Sequence, residues 1–353
     1  MSDATKITIK AMSEKLGISK TALYQYFKDP STTRIGTDLK CKIEEILGGI
    51  EFHPNVNAQN ISRGKSNTIA ILIPLNAPHF RNTMINELLS GIQTVLYNQN
   101  YKMTFIPPAT IYPDRGSTGL LREQVKAASG YDACILFGTR ACTEEDMKIN
   151  VEYMLHTQIP FVVVNMPTST YPINQVVNVT PRLSSGAKLL FSMGHRRILF
   201  MGGSADAPDT VSAYEEYKAL HGENNTSLDE RLIMNGGYER ASARSEFCRA
   251  INEKIDFTAV LCLSDTMALG VYEGASDNGL QIPEDISVIG KDDAQFATVL
   301  RPKLTTIKVP AYETGKVAAQ LALDAIKEPS RTRCINLDNE LVLRESVRPF
   351  ISK

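Results

Sequence analysis

Apolar residues recur at helical spacing in two short runs near the start of the chain, Ile9, Met12 and Leu16 in the first and Ala22, Leu23 and Phe27 in the second. Gly17 lies between them, where a left-handed residue ends a helix without the cost of a Cβ atom. Thr8 is placed to cap the first helix, with Ile7 stapled onto Met12. Ser19 is placed to cap the second, with Ile18 and Leu23 at the staple positions. Turning the apolar residues inward leaves Lys20, Thr21, Tyr24, Gln25 and Lys28 pointing out. Amides, hydroxyls and ammonium groups are the side chains that read base edges and phosphates. Two capped helices at a tight turn, the second with a polar outer face, are the layout of a helix-turn-helix. A loop rich in Pro, Ser, Thr and Gly follows. A third helix is then expected in "TDLKCKIEEILGG", capped by Thr37, with Leu39, Ile43, Ile46 and Leu47 on one face and Gly48 and Gly49 at its end.

From Thr68 the period changes. Near-continuous apolar segments, "TIAILIP", "KMTFIP", "DACILFG", "PFVVVN", "QVVNV", "RILFMGG", "TAVLCLS" and "ISVIG", read as strands. Stretches such as "FRNTMINELLSGIQTVLYNQN", "RLSSGAKLLFSMG" and "TMALGVYEGASDNG" between them read as helices. Strands without alternation, separated by helices, imply a parallel sheet covered on both faces. About ten such units exceed one ordinary open sheet, so two doubly wound subdomains are expected, with a ligand cleft at the carboxyl ends of their strands. The segment joining head to core, "FHPNVNAQNISRGKSN", is polar; Pro54 or Asn55 can open a short helix carrying Val56, Ala58 and Ile61, too short to persist alone.

Charge sharpens the division. Residues 1–67 carry ten Lys plus Arg and seven Asp plus Glu, a net +3, whereas the whole chain is −1. A mildly basic head on an acidic core is consistent with a DNA partner. No apolar run is long enough to span a bilayer, and Met1 to Lys10 has no signal-peptide pattern, so a cytoplasmic protein without a membrane partner is expected. The six cysteines form no C-x-x-C pair and are expected to be reduced, mostly buried thiols. The five histidines have no metal-ligand spacing, and no metal or other cofactor is expected.

A three-helix head, a proline-led hinge and a paired α/β core together resemble the lactose repressor and galactose repressor family of bacterial transcription regulators. The resemblance runs through "TIKAMSEKLGISKTALYQYF", through "PNVNAQNI" at the P-N-x-x-A-x-x-L hinge motif, and through "GHRRILFMGG", "SDTMALGVYEGASDNGLQIPEDISVIGKDD" and "RPKLTTIKVPAYETGKVAAQLALDAI" in the core. It implies a helix-turn-helix head over residues 1–50, a hinge over 51–67 and a periplasmic-binding-protein-like core over 68–353. The core's amino-terminal subdomain is expected over about 68–168 and 297–333, and its carboxy-terminal subdomain over about 169–296 and 334–353. The implied function is that of a repressor, a homodimer on a pseudo-palindromic operator of double-stranded DNA, tuned by a small effector in the core cleft. Thr8, Ser19, Lys20, Thr21 and Gln25 of the head and Asn55, Ala58 and Ile61 of the hinge are then the candidate DNA-binding residues. Ile61, apolar on a polar, marginal helix, is buried either by wedging between base steps or by packing on the core.

Several positions depart from the family pattern. Ala22 to Gln25 replace the usual T-V-S-R, so the operator need not follow a standard one. The arginine of R-x-x-G-[FY] falls on Ala213, and the aromatic of G-[FY]-D-[DN] on Lys291. The remaining effector candidates are His79, Phe80, Arg140, Asn165, Asp265 and Asp292, all just beyond strand ends. Phe80 also reads as plain core, and Asp265 as a helix N-cap. Amides, acids and a ring suit a sugar or a nucleoside alike. The eroded set leaves a second reading open, a regulator whose pocket is ligand-independent or controlled by a protein partner. An enzyme is not expected, because no Walker A loop, G-x-S-x-G elbow or H-E-x-x-H occurs and "GGSADAP" lacks the lysine of a phosphate cradle. A transport binding protein would share the core but have no DNA-binding head.

Overall fold

The computed structural model describes residues 9–28, 35–48, 65–73, 83–106, 130–138, 144–165, 171–178, 183–203, 205 and 208–351. The chain divides into two compact units, Met1–Ser66 and Asn67–Lys353.

In the first unit, α1 (Ile9–Leu16), α2 (Lys20–Lys28) and α3 (Thr37–Leu47) surround a small core of Ile9, Met12, Leu23, Tyr26 and Ile43. Gly17 takes φ +66°, as the turn between α1 and α2 requires. The Ser13 hydroxyl closes that turn by donating to the Ile18 carbonyl at 2.6 Å. Ala22 N–H donates to Ser19 Oγ at 3.2 Å, so Ser19 caps α2 as its position implied. Thr37 does not cap α3: it is already helical, the cap residue is Gly36, and no side-chain bond serves that end. At the far end Gly48, φ +57°, donates to the Glu44 and Glu45 carbonyls.

The second unit holds two six-stranded sheets among the described residues. The chain builds β1 (Thr68–Leu72), α4 (Thr83–Asn98), β2 (Lys102–Phe105), β3 (Ala133–Phe137), α5 (Glu144–Thr157), β4 (Phe161–Val164) and β5 (Asn174–Asn178). It then crosses to α6 (Ser184–Ser192), β6 (Ile198–Gly202), α7 (Pro208–Glu223), β7 (Ile233–Asn235), α8 (Arg240–Asn252), β8 (Ala259–Cys262), α9 (Asp265–Asp277), β9 (Ser287–Asp292) and β10 (Thr305–Lys308). It returns for α10 (Ala311–Lys327) and β11 (Cys334–Leu337), and crosses once more to β12 (Glu340–Val342). The strand orders are β11-β5-β4-β3-β1-β2 and β12-β10-β9-β8-β6-β7, parallel except for the β10/β12 pair.

The apolar strands fold this way because both faces of each sheet are covered. In β1, Ile69 and Ile71 join the core formed with α4 and α10, while Ala70 and Leu72 join Val151 and Met154 of α5 on the other face. On the second sheet, Gly186 lets α6 lie directly on Leu261, Ile289 and Ile307.

The expected subdomain boundaries need correction. The segment 169–178 contributes β5 to the first sheet, not the second. Within 297–333, β10 pairs with β9 in the second sheet, while α10 packs on the first. Within 334–353, β11 pairs with β5 in the first sheet. Sequence order misleads here because the chain changes sheet three times, at 179–183, 309–310 and 338–339.

Of the five cysteines among the described residues, all are free thiols. Cys134 and Cys262 are buried, but Cys41 and Cys334 are exposed, against the expectation that most would be inside. Among the described residues no helix is long and apolar enough to cross a membrane.

Candidate effector site and DNA-facing helix

On α2 the residues expected to face outward divide. Lys20, Thr21 and Gln25 are exposed, as is the capping Ser19. Tyr24 is half-buried against the head core, and Tyr26, which the helical pattern did not single out, is almost fully buried. Burial, with the carboxylate of Glu44 nearby, raises the Tyr26 phenol above its ordinary value, so it stays neutral. The polar face of α2 is therefore narrower than the sequence suggested and centres on Lys20, Thr21 and Gln25. Thr8, Asn55, Ala58 and Ile61 lie outside the described residues.

In the core, His79, Phe80 and Arg140 also lie outside the described residues. Asn165 directly follows β4 with φ +61°, and its N–H donates to the Val176 carbonyl at 2.9 Å. Its side-chain Oδ1 is buried without a hydrogen-bond partner among the described residues, an uncommon and costly condition for an amide oxygen.

Asp292 is the last residue of β9, which runs two residues beyond Gly290, where the apolar pattern ended. It takes φ +116° and Asp293 takes φ +58°, so two successive non-glycine residues hold left-handed backbone at the carboxyl end of the strand. Asp293 is paired with Arg344 at 2.6 Å, and the same guanidinium donates to the Leu304 carbonyl. Asp292 lines a groove of about 520 Å³ that runs between the two sheets beside the crossovers. Thr83, Met84 and Glu87 of α4 form one side, and Asp292 to Gln295, Lys308 to Glu313, Asp338 and Glu340 form the rest. Six carboxylates line it, among them Asp293 paired with Arg344 and Glu313 paired with Lys316, against Lys308 as the one cation among the described lining residues. Such a wall accepts hydrogen bonds and favours a ligand rich in O–H or N–H donors. Asn165 is not among the groove's lining residues.

Asp265 is neither an N-cap nor an open ligand contact. The cap of α9 is Ser264, whose Oγ accepts from Met267 N–H at 3.2 Å. Asp265 is 0% exposed; Oδ2 accepts from Ala294 N–H at 2.7 Å and Oδ1 from the Thr306 hydroxyl at 2.6 Å. Burial, and then the nearby Asp292 charge, push its carboxyl up to about 8 against the pull of those two hydrogen bonds. Sequence reasoning placed it correctly at a strand-to-helix junction but could not tell which of two adjacent residues, Ser264 or Asp265, serves the helix end.

Tyr238 is a residue at the strand ends whose placement the sequence did not disclose. It stands three residues beyond β7 with φ +60°, and its ring lies so close over Gly203 that a Cβ there would come within 1.8 Å. Its hydroxyl shares a 3.0 Å hydrogen bond with Thr210 Oγ1, which also accepts from Gly203 N–H. An aromatic wall thus stands at the carboxyl ends of β6 and β7. The available signal was the pair of double glycines, "GG" after β6 and "NGGY" after β7, each marking close approach beyond a strand. It went unread because β7 is only three residues long.

A family model described as a periplasmic binding protein-like domain matches residues 187–347. The HTH-type transcriptional repressor PurR of Vibrio atlanticus (strain LGP32) is 26% identical over 345 residues, which is 97% of this chain and 98% of that protein. Among solved structures, a LacI family transcriptional regulator from Enterococcus faecium with bound ribose superposes with a TM-score of 0.67 at 25% identity, covering 80% of this chain and 100% of that one. The lac repressor dimer bound to operator and the anti-inducer ONPF superposes with a TM-score of 0.78 at 19% identity, covering 97% of this chain and 99% of that one. Over nearly its whole length the chain is thus similar to HTH-type transcriptional repressors and, in fold, to LacI family regulators. Against the lactose repressor and galactose repressor pattern, the substitutions in this chain acquire places. Ala213, at the arginine position, is fully buried in the second core beside Phe200 and Tyr217. Glu216, at the glycine position, accepts from the N–H groups of Leu183 and Ser184 and so caps α6 where the chain has just crossed between sheets. The curated relatives are transcriptional regulators, not enzymes.

Proposed function

We propose that this protein is a sequence-specific DNA-binding repressor, a homodimer on a pseudo-palindromic operator, whose affinity is set by a small neutral effector bound in the core. The observation that carries the DNA-binding half is the capped, exposed face of α2, with Lys20, Thr21 and Gln25 turned to solvent over a packed three-helix core. The hinge residues Asn55, Ala58 and Ile61 are proposed to complete the contact, with Ile61 as a minor-groove wedge. Thr8 is proposed as a phosphate contact at the start of the head.

The effector half rests on the acidic groove and on Asp292. The groove's carboxylates accept hydrogen bonds, which suits a sugar or nucleoside and disfavours an anion; Asn165, outside the groove, is proposed as a further contact. His79, Phe80 and Arg140 belong to the same proposed site. Ala213 favours a second reading, since a pocket without the family arginine fits a regulator that is ligand-independent or controlled by a protein partner. The protein is proposed to act in the cytoplasm and to have no enzymatic activity.

Selection of bound duplexes from a random double-stranded library by the full-length protein tests the proposal. Recovery of a two-fold symmetric site supports it. Recovery of no consensus, or of an asymmetric single half-site, overturns it.

A further inference from the structure

The carboxylate of Asp265 joins three parts of the second subdomain that have no reason in sequence to meet. It stands on the first turn of α9, holds the N–H of Ala294 immediately after the left-handed pair Asp292 and Asp293, and receives the hydroxyl of Thr306 in β10. Strand β10 leads within three residues to the crossover at Val309 and Pro310. Gly290 is required beneath the carboxylate, because a Cβ there would lie 2.1 Å from Asp265 Oδ1. Gly290 and Thr306 are partners in the β9/β10 register, so the side chain lies across a matched pair of strands. Left-handed backbone at two consecutive aspartates is unfavourable by itself and persists only where its surroundings hold it. The bond to Ala294 N–H is the anchor on the far side of that turn.

We infer that Asp265 is a positioning residue for the effector contact Asp292: it fixes the 292–294 turn to the strand that enters the crossover at Val309 and Pro310, without touching the ligand itself. Movement of the turn and movement of β10 are thereby joined through one buried carboxyl group. This inference rests on the reading of Asp292 as an effector contact. The bracket itself is a property of the free protein and is tested without ligand.

The experiment is amide hydrogen exchange on the full-length protein, comparing Asp265→Ala, Asp265→Asn and Thr306→Val with the wild type. Asparagine can keep both links, its Oδ1 accepting from Ala294 N–H and its amide donating to Thr306 Oγ1. Asp265→Ala is expected to raise exchange at residues 291–295 by about tenfold or more, with the first sheet and α10 unchanged. Asp265→Asn is expected to restore wild-type protection there, and Thr306→Val, which loses one link at nearly constant volume, to fall between. If Asp265→Ala does not fold, the Asn and Val variants carry the same comparison. A rise spread evenly over the whole core would make Asp265 a stability residue only and overturn the inference. So would unchanged exchange at 291–295 in folded Asp265→Ala or in Thr306→Val, or an Asn variant as open as the Ala variant. If the bracket behaves as expected but an effector panel shows no dependence on Asp292, the positioning geometry stands and the reading of Asp292 is what fails.

Discussion

Replacing Gly290 by alanine places a methyl group where the structure has none to spare. The added Cβ would lie 2.1 Å from Asp265 Oδ1 and 3.0 Å from Leu304 Cδ2. The leucine methyl can swing aside; the carboxylate cannot, because it is wholly buried and held at 2.7 Å and 2.6 Å by Ala294 and Thr306. To restore ordinary contact Asp265 must move by more than an ångström, which stretches both hydrogen bonds beyond useful length. Each bond to a buried carboxyl group that is lost and left unsatisfied costs about 1 to 3 kcal/mol. The expected loss is therefore on the order of 2 to 6 kcal/mol, a large part of a typical folding stability. The chain has no tryptophan, so urea unfolding is best followed by far-ultraviolet circular dichroism. The combination with Asp265→Ala is the sharper test: with the carboxylate gone the methyl group has room, and Gly290→Ala in that background should cost less than about 1 kcal/mol. Gly290→Ala with wild-type stability, or with the same cost in both backgrounds, would refute the packing argument.

The raised Asp265 carboxyl gives a signed pH dependence. Its folded value of about 8 exceeds the ordinary 3.8, so across that window the native state holds a proton that the unfolded chain releases, and stability falls as pH rises from about 4 to 8. The stability difference between wild type and Asp265→Asn, measured by urea titration across this range, should therefore shrink in favour of the variant as pH rises; the lowered carboxyls of Asp324 and Glu345 act in the opposite sense but cancel in the difference. Asp292→Ala should retain operator binding and lose response to whichever sugar or nucleoside a thermal-shift panel identifies, by about a hundredfold in ligand affinity if two charge-assisted hydrogen bonds are removed. Unchanged ligand affinity would remove Asp292 from the site.

The elements with strong periodicity were legible before any coordinates. All eight apolar segments named from the sequence contain strands; a strand buried on both faces declares itself by an apolar run, and the exception, β2, is a half-buried edge strand. The four missed strands, β7, β10, β11 and β12, are three or four residues long; three carry exposed or half-exposed residues and β10 carries threonines. A threonine pair such as Thr305 and Thr306 reads as polar, yet both are fully buried, their hydroxyls engaged with Arg344 N–H and the Asp265 carboxylate. The sheet exchange at the three crossovers left no trace in local pattern, since pairing partners such as β5 and β11 lie far apart in the chain. In the site, Asp292 was readable from its place beyond an apolar strand. The packing of Tyr238 outside the Asp292 groove was not, because it depends on a ring lying over a distant glycine.

The account stands or falls on DNA recognition by the head, and the most direct measurement is the affinity of the full-length protein for its selected duplex and for a scrambled duplex over a series of salt concentrations. A dimer that neutralises about 6 to 10 phosphates should lose roughly a thousandfold or more in affinity between 50 and 200 mM salt on either duplex. The selected site should stay about a thousandfold or more tighter than the scrambled one at any single salt concentration. A binding constant indifferent to salt, or equal affinity for the two duplexes, would contradict the assignment of α2 as a base-reading helix.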